Sequence, residues 1–165
     1  MEPLSEELVD ETWEAFAAYT DSQAYEEAQA VGKDQPEVLA FIMEMTEDLD
    51  QGIRELAVYM FFVIHRMFQN GYGKKIGKVS SEEIIKCYEE NESLLESLGN
   101  VHEKFFERIA RVQMSSQPYV IRYIVETLFE ADQEEDPIHL EEEDMGYLFL
   151  LMKTVVDVLN KKTEH

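Results

Sequence analysis

Apolar side chains recur along this chain at intervals of three and four residues, the spacing that gathers them on one face of an α-helix. The pattern predicts a first helix over about 5–19, with Leu8, Val9, Trp13 and Phe16 facing inward. A second, over about 22–31, is rich in alanine, which permits close packing. A third opens at Asp34-Gln35-Pro36 and carries Val38, Leu39, Ile42 and Met45. Proline suits a helix's first turn because the N–H it lacks would be unpaired there. After a break at 47–52, a fourth helix over about 53–69 is apolar on nearly every side from Val58 to Ile64, which places it at the centre of its half.

Asn70-Gly71-Tyr72-Gly73 clusters turn formers and reads as a loop. Ser80 then starts a fifth helix with Glu83 at capping-box spacing, followed by the stripe Ile84, Tyr88, Leu95 and Leu98. After Gly99-Asn100, a sixth carries Val101, Phe105, Ile109 and Val112. A seventh opens at Gln117-Pro118 with Val120, Ile121, Ile124 and Leu128. An acidic loop over about 132–142 leads to a last helix over about 144–160, with Leu148, Leu151, Met152, Val155 and Leu159 inward.

The order of elements repeats. Residues 35–44 (QPEVLAFIME) match 117–126 (QPYVIRYIVE) at five of ten positions. Tyr59 to Ile64 match Tyr147 to Met152, and Ser5 to Val9 resemble Ser81 to Ile85. The offset is 82 residues at the first match and 88 at the second, with the extra residues falling in the acidic loop. The expectation is an all-α single domain over 1–165. Its eight or so helices form two related four-helix halves, about 5–70 and 80–161, joined by a loop over 71–79. Such a chain is a compact bundle or a very short helical repeat, in which each unit buries part of its surface on its neighbour.

Composition narrows the function classes. Apolar residues make up 45 % of the chain, enough for a core despite the charge. The net charge of −22, from 36 acids and 14 Lys and Arg, repels nucleic acid and anionic membranes, so neither is expected as a direct partner. The apolar run that includes Ala57 to Ile64 is too short for a bilayer, and the first residues carry no basic, apolar leader. Cys87 is the one cysteine, which rules out an intramolecular disulfide and a multi-thiolate metal site and fits a reducing, cytoplasmic setting.

Motifs for chemistry fail one by one. Gly71 to Lys78 lacks the spacing and the preceding strand of a phosphate-binding loop. Asp132, Glu134 and Asp136 alternate as in a calcium loop, but Pro137 stands where that loop needs glycine. None of His65, His102, His139 or His165 has a glutamate three residues earlier, as a di-iron bundle would need. Acids beside Cys87 oppose a thiolate. Methionines such as Met43, Met45, Met60, Met67 and Met152 fall in apolar stripes and read mainly as core. No cofactor and no metal are expected.

Two basic groups stand out against the acidic background. One is the loop with Tyr72, Lys74, Lys75 and Lys78; the other is the stripe Lys104, Arg108 and Arg111 on the sixth helix. A solvated connector for the loop, and internal ion pairs such as Glu107–Arg111 for the stripe, are the favoured accounts of the two. The leading expectation is a non-enzymatic protein-interaction or regulatory module, with another protein as partner and a homodimer as one form. A second is an acidic mimic that blocks a nucleic-acid-binding protein, suggested by fifteen acids against Lys33 in residues 1–50. A third is a small-ligand carrier or enzyme whose site is lined by Tyr59, His65, Tyr123 and Tyr147.

Overall fold

A computed structural model describes residues 2–98, 116–131 and 140–163. Among these residues the chain is all-helical: α1 (Glu6–Ala17), α2 (Asp21–Asp34), α3 (Pro36–Met45), α4 (Gln51–Tyr72), a 3-10 turn (Gly73–Lys75), α5 (Ser81–Leu98), α6 (Pro118–Ala131) and α7 (Glu142–Lys161). The expected sixth helix and most of the acidic loop lie outside the described residues.

Local chemistry sets the starts of these helices. Ser5 accepts from the Leu8 N–H at the head of α1, and Thr20 and Gln23 form a reciprocal capping box on α2. Ser80 and Glu83 do the same on α5, as their spacing predicts. Pro36 and Pro118 occupy the first positions of α3 and α6.

Two long helices form the centre. On α7 every residue from Leu148 to Val156 is buried, and on α4 Met60, Phe61, Val63, Ile64, Met67 and Phe68 are buried. α4 and α7 pack on each other; α1 lies on α4, and α5 lies on α7. α3 packs against α4 and α5, while α6 packs against α7 and α1. Fully buried rings such as Phe61, Phe68 and Phe149 each contribute roughly 1.5–3 kcal/mol through area removed from water. Buried hydroxyls are satisfied locally: Thr12, Thr46, Thr154 and Thr163 each donate to the carbonyl four residues earlier.

The structure corrects three expectations. Asn70, Gly71 and Tyr72 are not loop: α4 runs through Tyr72 and ends at Gly73, whose φ of 60° suits glycine. The helix persists because Asn70 donates to Thr12 and because the missing side chain of Gly71 makes room for Leu4, so tertiary contacts override turn propensity. The connector from α4 to α5 is thus shorter than the expected loop over 71–79. Trp13, expected inward, is 38 % exposed, and Thr12 is buried in that stripe instead. Finally, α2 extends to Asp34, and α7 begins at Glu142 rather than 144.

Candidate functional site

Functional candidates fall at three places: the end of the molecule where the 3-10 turn meets the end of α7, and two buried polar clusters. Past the 3-10 turn the backbone runs alongside the residues that follow α7. Ile76 and Thr163 form an antiparallel bridge, and the Gly77 N–H donates to the Lys162 carbonyl at 2.9 Å. This brings Lys161 and Lys162 to the end that carries Lys74, Lys75 and Lys78. Lys162 pairs with Glu83 at 3.0 Å and Lys161 with Glu90 at 3.6 Å. Lys74, Lys75 and Lys78 are exposed. The sequence reading missed the two C-terminal lysines, because nothing in their spacing reveals which distant backbone lies beside them. Lys104, Arg108 and Arg111 lie outside the described residues, as do His102, His139 and His165.

Tyr72 has a structural partner set. Its hydroxyl donates to the Glu2 carbonyl at 2.8 Å and accepts from Gln117 Nε2 at 2.8 Å. Gln117 is fully buried; its Oε1 accepts from the Leu4 N–H at 2.9 Å, and Nε2 also reaches Asn160 Oδ1 at 2.8 Å. Gln35, 1 % exposed, acts in parallel: Oε1 accepts from the Val79 N–H at 3.0 Å, and Nε2 donates to the Gly77 carbonyl at 2.9 Å. Each glutamine therefore fixes the segment that enters a distant helix, α1 for Gln117 and α5 for Gln35. The Gln-Pro motif was visible in sequence; its use as a backbone clamp was not.

The first buried cluster joins α2 to α4. Glu27, 6 % exposed, receives one edge of the Arg66 guanidinium through two donors, at 3.1 Å from Nε and 2.8 Å from Nη2. His65, completely buried, lies between Glu27 (3.8 Å from Nδ1) and Asp34 (3.7 Å from Nε2). Those separations exceed hydrogen-bond length, and neither ring nitrogen has a hydrogen-bond partner. Burial alone would raise the Glu27 carboxyl, but the His65 and Arg66 contacts outweigh it and hold its pKa below the usual carboxylate value.

The second cluster joins α5 to α7. Lys153 donates to Asp157 at 2.7 Å and to Asn91 Oδ1 at 2.9 Å, and the Asn91 amide reaches Thr154 at 3.3 Å and Asp157 at 3.1 Å. Cys87 lies against this network, 3.6 Å from Asn91 Nδ2. Burial and the Asp157 charge push its thiol up to about 11, which opposes nucleophilic use at neutral pH. Both clusters bind their helices together through groups that mostly satisfy one another.

The four residues expected to line a ligand site have separate partners. His65 faces Glu27 and Asp34; Tyr147 donates to the Met45 carbonyl at 2.7 Å; Tyr59 packs edge-on against Phe16 with ring centroids 5.4 Å apart, and Tyr123 is buried. Burial raises the Tyr59 hydroxyl and, more strongly, that of Tyr123. Among the described residues no group of three or more His, Cys, Asp or Glu is placed to hold a metal ion, and no helix is long and apolar enough to cross a membrane. No family model, no curated protein and no solved structure matches the chain.

Proposed function

We propose that this protein is a non-enzymatic interaction module that presents helical surfaces to another protein. The observation that carries the reading is the lysine end: Lys74, Lys75 and Lys78, with Lys161 and Lys162 brought beside them, on a chain of net charge −22. A basic end on an acidic body orients an approaching partner, because oppositely signed patches steer encounter and fix register. Exposed apolar side chains, among them Tyr25 (67 %), Phe129 (61 %) and Ile85 (54 %), supply further contact area. The acidic-mimic reading is less favoured, because exposed carboxylates are spread over helices throughout the fold: Glu14 on α1, Glu26 on α2, Glu44 on α3, Glu55 on α4, Glu89 on α5, Glu130 on α6 and Glu143 on α7.

The same reading includes an internal duplication. Its support is the crossed use of the repeated Gln-Pro motif, in which Gln35 of the first half clamps the entry to α5 and Gln117 of the second clamps the entry to α1. The test is affinity capture from the native host's lysate with the wild type and a Lys74→Glu/Lys75→Glu/Lys78→Glu variant, at low and high salt. The variant is expected to lose the captured protein while its helical circular dichroism is unchanged. Equal capture by both would count against the lysine end.

A further inference from the structure

His65 sits inside the α2–α4 junction with neither ring nitrogen hydrogen-bonded. Its side chain is 1 % exposed, and its two nitrogens face different carboxylates. Nδ1 lies 3.8 Å from Glu27 Oε1, and Nε2 lies 3.7 Å from Asp34 Oδ2. Both acids come from α2. Arg66, the next residue on α4, already binds Glu27. Among the described residues no ion pair reaches the ring from α1, α3 or α7, the other helices packed on α4.

A carboxylate only accepts hydrogen bonds, whereas a neutral imidazole offers one N–H and one lone pair. Whichever tautomer the neutral ring adopts, one lone pair faces an acid. The imidazolium presents an N–H to each acid instead. The balance of charge favours the same state. Glu27 and Asp34 are matched by Arg66 and a protonated ring, while a neutral ring leaves one carboxylate unmatched at a buried junction, where an unpaired charge is costly. The contact with His65 also helps to hold the Glu27 carboxyl below its ordinary value, as a neighbouring cation does. The helix it faces is lightly held, for Glu27 and Val31 are the buried residues of α2.

We propose that His65 is a proton-operated latch that fastens α2 to α4. Protonated, the ring draws Glu27 and Asp34 to its two sides; deprotonated, it turns a lone pair on one of them and α2 loosens. Charge-assisted bonds of this kind span about 2.7–2.9 Å, so closing the latch takes roughly 1 Å of side-chain movement. Imidazole is the side chain whose ordinary change of charge falls between about pH 5 and 8. The attachment is therefore firmer on the acid side of that window, while both carboxylates stay ionised, and weaker on the alkaline side. α2 also carries Tyr25, 67 % exposed, so the latch bears on partner contact as well. That consequence alone rests on the reading of the protein as an interaction module.

The test is amide hydrogen exchange of the full-length protein by NMR from about pH 5.5 to 8.5, corrected for the intrinsic effect of pH, with ring 15N shifts reporting the His65 proton. Protection of the Ala28 and Val31 amides is expected to fall about tenfold as the ring loses its proton. The control is Asp34→Asn, at a side chain 43 % exposed. Its amide can donate to a neutral ring, so the fall there is expected to be less than about twofold. An equal fall in both proteins would assign the change to the charge of the whole molecule and overturn the latch. Unchanged α2 protection while the ring titrates, or a ring that keeps one protonation state across the range, would overturn it too. Exchange is read without a partner, so the latch can fail while capture by the lysine end succeeds, and the reverse.

Discussion

A buried glutamine is valuable to a fold only when every polar atom has a partner, and Gln117 shows the consequence at a single residue. Its Oε1 accepts from a buried backbone N–H and its Nε2 serves two acceptors. Gln117→Ala strands the Leu4 N–H and is expected to lower the unfolding free energy by about 2–3 kcal/mol, read from urea denaturation at constant slope. Gln117→Glu keeps the acceptor but cannot donate to the Tyr72 hydroxyl or Asn160 Oδ1, so it is also expected to destabilise. A neutral Gln117→Glu would mean that the Leu4 bond carries the whole effect. The residue was conspicuous in sequence, as half of a repeated Gln-Pro pair. Its function was not, because a side chain's identity does not state which backbone, 113 residues away, comes to meet it.

At the scale of helices, sequence pattern worked where burial decides and failed where contacts between helices decide. The stripes Val120, Ile121, Ile124, Leu128 and Leu148, Leu151, Met152, Val155, Leu159 are all buried, because helical periodicity and burial share one cause. The end of α4 was misread, since Asn70 and Gly71 are turn formers by propensity but here accommodate Thr12 and Leu4. Likewise the candidate loop lysines were legible as a charge run, whereas the neighbouring Lys161 and Lys162 required the fold. The α2–α4 junction is equally a matter of tertiary contact: Arg66 and Glu27 are 39 residues apart and form a bidentate ion pair. Arg66→Met leaves a largely buried carboxylate uncompensated and is expected to cost about 2–3 kcal/mol at pH 7. The pH dependence has a definite sign. The folded Glu27 pKa lies below its ordinary 4.5, so the pair's contribution is complete above that value and is lost as pH falls through the lower folded one. The difference between wild type and Arg66→Met, from denaturation at pH 7, 5, 4 and 3, should therefore narrow as pH falls, because Glu27 in the variant, with burial no longer offset by Arg66, protonates before it does in the wild type. A difference that stays constant to pH 3 would assign the cost to lost packing of the arginine stem instead.

For the whole molecule the governing quantity is the excess of acids, 36 against 14 lysines and arginines. Two electrostatic contributions oppose each other. Exposed pairs such as Lys161–Glu90 and Lys162–Glu83 stabilise by at most about 1 kcal/mol each, and salt weakens them. Repulsion among the surplus carboxylates destabilises the compact state, and salt screens that as well. Because unpaired acids far outnumber pairs, repulsion should dominate. Raising sodium chloride from about 20 to 200 mM is then expected to raise the melting temperature by roughly 3–8 °C, as about 1–2 kcal/mol would in a chain of this size. Lowering the pH from 7 toward the isoelectric value of 4.4 removes the same repulsion by a different route, so stability should also rise until Glu27 begins to lose its charge. Agreement between the two scans would establish net repulsion as the common cause. A melting temperature that falls with salt would show instead that specific ion pairs outweigh the surplus, and the lysine end would then be a stabilising element of the fold before it is a surface for a partner.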